Sequence, residues 1–102
     1  MMPKKDKLEF TKKVLDKKFP KGTYLEYHMV YEGEHAPSME EDVSGKTPRE
    51  VLNGVMKEAR ISNADYVYWE GAYQDERRLL NHKNLVWLAV HSSKNKKLRD
   101  VS

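Results

Sequence analysis

The strongest local constraint in this sequence is a helix start at Thr47. Thr47 is followed by a proline, which is favoured at the first helical position, and three residues later by Glu50, whose carboxylate can bond back to the cap backbone. Apolar residues then recur at helical spacing, at Val51, Leu52, Val55, Met56 and Ala59. The pattern predicts an amphipathic helix to about Arg60 that buries one face against another element.

Three segments have the composition of β-strands. Apolar and polar residues alternate from Thr23 to Glu32, which is typical of a strand with one buried face. Residues 65–73 are rich in aromatic side chains, and residues 84–92 are apolar on both faces up to Val90. We expect the last segment to be the central strand, because a strand covered on both faces needs no polar side.

The remaining segments predict one further helix and two connections. A stripe of Leu8, Leu15 and Phe19 predicts a first helix capped by Asp6 and ending at about Phe19, before Pro20. Residues 33–46 have no period and are expected to form a mobile acidic loop. Residues 75–80 can form one helical turn, and residues 93–102 are expected to be a frayed basic tail.

These elements predict one small α+β domain over residues 1–102. The expected order is α-β-α-β-β, with a three-stranded, mainly antiparallel sheet and two helices on one of its faces. The last four predicted elements, β-α-β-β with an aromatic strand after the helix, resemble in their order the small flavin-binding dodecins and related stress proteins. That resemblance implies a small domain able to stack an aromatic cofactor.

Charge is distributed unevenly along the chain. Charged residues make up 34% of the sequence, above the usual quarter or so, so the surface is heavily charged. Residues 1–25 and 76–102 each have a net charge of +5, whereas residues 26–50 have a net charge of −5. Six Tyr, two Trp and two Phe argue against a disordered chain.

Composition also excludes several classes of function. The absence of cysteine removes disulfide scaffolds, thiol catalysis and Cys-ligated metals, and it favours a reducing, cytosolic setting. The first residues are charged where a signal peptide is apolar, so we expect no secretion signal. The longest apolar run, residues 85–90, is far shorter than the ~20 residues that span a bilayer, so we expect no membrane partner.

No motif for catalysis or cofactor binding is present. The sequence contains no phosphate-binding loop, dinucleotide fingerprint or zinc-protease motif. The segment from His28 to His35 contains two imidazoles and two carboxylates, but a strand and a loop would separate them, so we predict no metal site. The sequence therefore provides no support for enzyme activity, and we expect no cofactor.

The leading hypothesis is a small protein-binding protein of the accessory or inhibitor kind. In having a highly charged surface and no catalytic motif, the chain resembles many accessory proteins of viruses and mobile elements. Exposed aromatics on a sheet are enriched in protein interfaces, and an uncovered sheet face favours a partner or a homodimer. The predicted contact residues are Tyr24, His28, Tyr66, Tyr68, Trp69 and Trp87 on the sheet, and Glu34, Glu40, Glu41 and Asp42 in the acidic loop.

Two alternatives stay open. The first is a nucleic-acid-binding protein that uses basic residues of the first helix and the tail, which are Lys12, Lys13, Lys17, Lys18, Lys94, Lys96, Lys97 and Arg99. The acidic middle of the chain counts against it, because carboxylates repel phosphates. The second is a small-ligand domain with an aromatic cofactor stacked on Trp69.

Overall fold

The computed structural model describes residues 13–32 and 37–92. It is a small α+β fold with an antiparallel sheet, as predicted, but the sheet has four strands instead of three and its order differs. The strands are β1 (Thr23–Val30), β2 (Met39–Asp42), β3 (Tyr66–Gln74) and β4 (Arg77–Leu80), in the sheet order β2-β1-β3-β4. Helix α1 (Pro48–Ile61) connects β2 to β3, and helix α2 (His82–Ser92) follows β4. A β-α-β-β succession runs from β2 to β4, with β1 before it and α2 after it, so its first strand is β2 and its last strand is β4 instead of the predicted segments 23–32 and 84–92.

Helix α1 begins where the sequence predicts. The Glu50 N–H donates to Thr47 Oγ1 at 3.2 Å, and the Thr47 N–H donates to Glu50 Oε1 at 3.1 Å. Pro48 occupies the first turn, and the five apolar residues of the predicted stripe are buried. The capping box and the buried stripe together account for this helix.

The prediction of a third strand at residues 84–92 is wrong, because this segment forms α2. Asn81 and Asn84 cap it reciprocally: the Asn84 N–H donates to Asn81 Oδ1 at 2.8 Å, and the Asn81 N–H donates to Asn84 Oδ1 at 3.0 Å. The buried residues Leu85, Leu88, Ala89 and Ser92 follow helical spacing. The cap and the helical spacing favour a helix over a strand, although the segment also contains the β-branched and aromatic residues Val86, Trp87 and Val90.

Two predicted connections are strands. Residues 39–42 of the expected loop form β2, whose Leu25–Glu41 pair marks its register on β1. Residues 77–80 form β4 instead of a helical turn, since Asp75 adopts a positive φ of 54° and reverses the chain directly after β3. Asp tolerates this left-handed conformation better than most residues do.

The helix predicted before Pro20 ends earlier than expected. Residues 13–15 are helical, but the chain has left the helix by Lys18. The Phe19 N–H donates to the Lys46 carbonyl at 2.8 Å, and the Phe19 carbonyl accepts from the Gly45 N–H at 3.0 Å. Leu15 and Phe19 are nevertheless buried, as expected. The Asp6 cap and the tail at 93–102 lie outside the described residues.

One core lies between the helices and the inner face of the sheet. Strand residues such as Leu25, Val67 and Trp69 pack there against α1 and α2. Tyr27 belongs to the same cluster, and its ring centroid lies 6.0 Å from that of Trp69. Both α1 and α2 lie on this face of the sheet, and neither of them covers the opposite face.

Candidate functional site: the outer sheet face

The outer face is the side of the sheet that points away from α1 and α2. Because side chains alternate along a strand, β1 sends Tyr24, Glu26 and His28 to this side and the core residues between them to the other. Pairing places Tyr73 opposite Tyr24 and Tyr68 opposite His28. The central part of the outer face therefore consists of aromatic and acidic side chains.

A β-bulge in β3 lies at Glu70, which shares this face with Tyr68. The register shifts because Glu26 pairs with Gly71 and Tyr27 pairs with Trp69, so Glu70 is the extra residue. Its Oε1 lies 2.6 Å from His28 Nε2, and Ser38 Oγ donates to its Oε2 at 3.3 Å. The bulge reverses the alternation after Glu70, so that Gly71 and Tyr73 also lie on the outer face and Ala72 faces the core.

The carboxylates on the face have opposite pKa shifts. Partial burial, together with the neighbouring carboxylates of Glu70 and Glu40, raises the pKa of Glu26. The hydrogen bond with His28 lowers the pKa of Glu70, with smaller contributions from Glu26 and Ser38. Crowded negative charge disfavours ionisation of Glu26, whereas a cationic or donating partner favours it at Glu70.

Aromatic rings flank the carboxylates on one side. The rings of Tyr24 and Tyr73 stack with centroids 5.6 Å apart, and the Arg78 guanidinium carbon lies 5.9 Å from the centre of the Tyr73 ring. The Tyr73 side chain lies over Gly71, where an added Cβ would come within 2.8 Å of Tyr73 Oη. Glycine at this position thus lets the tyrosine lie flat against the strand.

A second aromatic group lies on the other side. The Tyr68 ring stacks on His82 at 4.7 Å and meets the edge of His28 at 6.0 Å. His82 Nδ1 lies 2.6 Å from the Trp69 carbonyl, which can only accept, so this nitrogen carries the proton. The contact holds His82 at the edge of β3, and Tyr68 is 38% exposed beside it.

The other predicted contact residues are dispersed. Tyr66 is half-buried at the end of the outer face, opposite Val30. Trp69 is fully buried in the core, and Trp87 lies on α2 rather than on a strand, so neither is on the outer face. Glu40 and Asp42 are exposed on β2, Glu41 points to the helix side near Tyr27, and Glu34 lies outside the described residues.

The basic residues of the alternative hypothesis are only partly described. Lys13, Lys17 and Lys18 are exposed. Lys17 and Lys18 line a groove of about 400 Å³ together with Arg77 of β4, over an apolar floor that includes Phe19 and Leu80. The other predicted nucleic-acid contacts, Lys12, Lys94, Lys96, Lys97 and Arg99, lie outside the described residues.

Sequence reasoning missed four members of the outer face: Glu26, Glu70, Tyr73 and Arg78. Alternation from Tyr24 could have identified Glu26, since both residues share a face of β1. Alternation from Tyr68 could likewise have identified Glu70, but nothing local marks the bulge that turns Tyr73 to this face or the hairpin that brings Arg78 over it. Both depend on how β3 pairs with its neighbours.

Across residues 13–32 and 37–92, no group of three or more His, Asp or Glu side chains is arranged to hold a metal ion. The helices in this part of the chain include none of the length and apolarity needed to cross a membrane. Comparisons with protein-family models, curated proteins and solved structures yield no match.

Proposed function

We propose that this chain is a small protein-binding protein that docks on its partner through the outer sheet face. The observation that supports the proposal is a set of aromatic side chains around carboxylates on a face that neither α1 nor α2 covers. Tyr24 and Tyr73 flank Glu26 and Glu70 on one side, and Tyr68 flanks them on the other. Tyrosine is enriched in interface hot spots because it contributes a large apolar area and a polar end.

The chemistry of this face favours a partner that presents arginine. A guanidinium group can stack on tyrosine rings and form two parallel hydrogen bonds with a carboxylate. Partial burial raises the pKa of Glu26, the carboxylates of Glu70 and Glu40 add to that rise, and an incoming cation would offset their repulsion. A phosphate backbone would meet the same carboxylates with repulsion, which disfavours nucleic acid on this surface.

An acid–base enzyme is a weaker interpretation of the same residues. A raised and a lowered carboxyl pKa side by side is an arrangement that such enzymes use. However, the Glu70 side chain is 33% exposed on an open sheet face, where water reaches the group and weakens the electrostatic effects that catalysis needs. We therefore favour binding, and an accessory or inhibitor role in the cytosol is part of the proposal.

Nucleic-acid binding remains the second candidate, on a different surface. The groove that brings Lys17, Lys18 and Arg77 together is the observation in its favour. Binding there should weaken steeply with salt, by about 0.9 in the log–log slope for each phosphate neutralised on duplex DNA. The idea of an aromatic cofactor stacked on Trp69 has no support in the geometry, because that ring is fully buried.

The test compares face variants with a surface control. Partners are captured from a lysate with and without nuclease, and the affinity of the purified partner is then measured by calorimetry. We expect Tyr68→Ala and Glu70→Gln to weaken binding by about 30-fold or more, as hot-spot substitutions do, and Ile61→Ala, at the exposed end of α1, to leave it unchanged. Capture that is lost on nuclease treatment, or equal affinity for all the variants, would overturn the proposal.

A further inference from the structure

The two edge strands of the sheet have opposite charge. Within residues 13–32 and 37–92, no strand pairs with the outer side of β2 or of β4. β2 contains Glu40, Glu41 and Asp42, whereas β4 contains Arg77 and Arg78. Open edges are templates for strand pairing, and charges of one sign on both edges would prevent it between copies. Here the charges attract.

We infer that this chain associates head to tail, with the β4 edge of one copy pairing with the β2 edge of the next. Neighbouring strands in the order β2-β1-β3-β4 are antiparallel throughout, so β2 and β4 run in opposite directions. A copy shifted sideways by one sheet width therefore presents its β2 antiparallel to β4. The sheet continues across the contact, and the helices stay on one side.

One register of β4 on the neighbouring copy's β2 places residues of matching character opposite each other on both faces of the sheet. In β4 the pairs Tyr73–Arg78 and Ala72–Leu80 leave Leu79 as a bulge, so Leu80 faces the core side and Arg78 the outer face. On β2, the pairing with β1 places Glu41 and Met39 on the helix side and Glu40 on the outer face. Setting Arg78 against Glu40 then sets Arg77 against Glu41 and Leu80 against Met39.

Each pair in this register is favourable. Oppositely charged residues directly across an antiparallel pair stabilise it, and so do two apolar residues. Met39 is 42% exposed, although it is a large apolar side chain, and the contact would cover it. The register therefore matches charge on both faces and buries an apolar residue that the single copy leaves in water.

The helix layer repeats the same complementarity. Beside β2, a groove of about 340 Å³ is lined by the carboxylates of Glu41, Glu50 and Glu58, and Lys46 is the one cation among its described lining residues. Beside β4, the groove lined by Lys17, Lys18 and Arg77 has no acidic residue in its lining within residues 13–32 and 37–92. When one copy is placed beside the next, the basic groove of the first approaches the acidic groove of the second. The electrostatic attraction between copies therefore includes these grooves as well as the edge strands.

A symmetric dimer through either edge is disfavoured by the same charges. Two β2 edges would set acidic residues against acidic ones, and two β4 edges would set Arg77 and Arg78 near their own copies. A head-to-tail contact uses two different surfaces and leaves a free edge at each end, so the assembly grows without a fixed size. Since Tyr24, Tyr68 and Tyr73 stay uncovered, the inference is independent of the proposed binding function.

The first test is sedimentation velocity as a function of concentration and salt. At about 0.01 M salt, where the Debye length is ~30 Å, we expect the mean mass to rise with concentration up to about 1 mM without reaching a plateau at the dimer. At about 1 M salt, where the Debye length is ~3 Å, we expect monomers. A monomer under both conditions, or a dimer that ignores salt, would overturn the inference.

Charge exchange provides the sharper test. We expect Glu40→Lys/Glu41→Lys and Arg77→Glu/Arg78→Glu each to weaken self-association by about tenfold or more, since each variant has like charges on both edges. An equimolar mixture of the two should associate again, because each variant then supplies the edge that the other needs. Lys57→Glu/Arg60→Glu, on the exposed side of α1, is the matched control and should associate as the native chain does.

The charge-exchange test needs a check that each variant folds. Thermal melting of each variant identifies one that fails to fold, and the variant of the opposite edge then still tests the contact. Loss of association in both variants without recovery in the mixture would show that the edges do not pair with each other.

Discussion

At the scale of single residues, Trp69 shows how one side chain can serve the fold and not the surface. It is the largest fully buried side chain, and its ring packs near Tyr27. Its indole Nε1 has no hydrogen-bond partner among the described residues. A buried donor without a partner lowers stability, so the value of this tryptophan lies in the volume it fills.

Substitutions at Trp69 should separate volume from hydrogen bonding. We expect Trp69→Ala to reduce the free energy of unfolding by about 3–5 kcal/mol, because it leaves a large cavity. Trp69→Phe should cost clearly less, since it keeps an aromatic ring and removes the unpaired N–H. Denaturant unfolding of both variants measures the difference, and equal losses would mean that the N–H has a partner in solution.

The paired glutamates predict opposite dependences on pH. The raised pKa of Glu26 means that its ionised form destabilises the fold, so Glu26→Gln should raise the melting temperature at pH 7 and have little effect well below the ordinary pKa of 4.5. The pKa of Glu70 is lowered, so Glu70 stabilises the fold above pH 4.5, and this contribution is lost as the pH falls through its folded value. Glu70→Gln should therefore lower the melting temperature at pH 7.

The control for this pair is the pH at which both carboxyls are protonated. At that pH the native chain and both variants should have similar melting temperatures, since each position then has a neutral side chain, either a carboxylic acid or an amide. A Glu26→Gln variant that is less stable than the native chain at pH 7 would contradict the crowding of Glu26, Glu40 and Glu70.

At the scale of elements, α1 and β3 each contain a glycine with a different role. Gly54 lies inside α1, and an added Cβ there meets no atom within 4 Å. Gly71 lies on β3 under the Tyr73 side chain, where an added Cβ would meet Tyr73 Oη at 2.8 Å. The helix tolerates its glycine, whereas the strand needs its glycine for a close approach.

Alanine at these two positions should have opposite effects. Gly54→Ala should stabilise the fold by about 0.5–1 kcal/mol, because alanine loses less backbone entropy in a helix. Gly71→Ala should destabilise it by about 1–3 kcal/mol, because Tyr73 must leave its position beside Tyr24. Thermal melting gives both signs, and a neutral Gly71→Ala would show that Tyr73 moves aside freely.

At the scale of the whole molecule, the fold converts a sequence pattern of charge into a spatial one. The acidic block of residues 26–50 contains β2, and the basic block that begins at residue 76 contains β4. The sheet order separates these strands by β1 and β3. The acidic strand β2 therefore lies at one edge of the sheet and the basic strand β4 at the other, with β1 and β3 between them.

Amide hydrogen exchange should distinguish the inner strands β1 and β3 from the edge strands β2 and β4. We expect the amide protons of β1 and of the paired part of β3 to exchange most slowly, because these strands lie inside the sheet and on the core. The outward amides of β2 and β4 should exchange much faster, measured at about 1 M salt so that edge pairing is screened. Comparable protection of all four strands under those conditions would contradict open edges.

The sequence by itself determined the elements whose signals are local. The capping box at Thr47 and the apolar stripe after it define α1, and alternation defines most of β1 and β3. In these segments neighbouring residues along the chain supply the decisive interactions, so a short window contains the information. The aromatic part of the outer face was also predicted from the sequence, through Tyr24, His28 and Tyr68.

Only the tertiary structure decided the rest. Residues 84–92 have the composition of a strand, yet they form α2, because Leu85 and Leu88 pack into the core at helical spacing. Tyr73 reaches the outer face beside Tyr24 only through the bulge at Glu70, which the pairing of β3 with β1 creates. β2 and β4 are four residues each and have little preference of their own, so their hydrogen bonds to longer strands make them strands. Where local preference is weak or divided, the free energy of burial and pairing over distant residues selects the conformation.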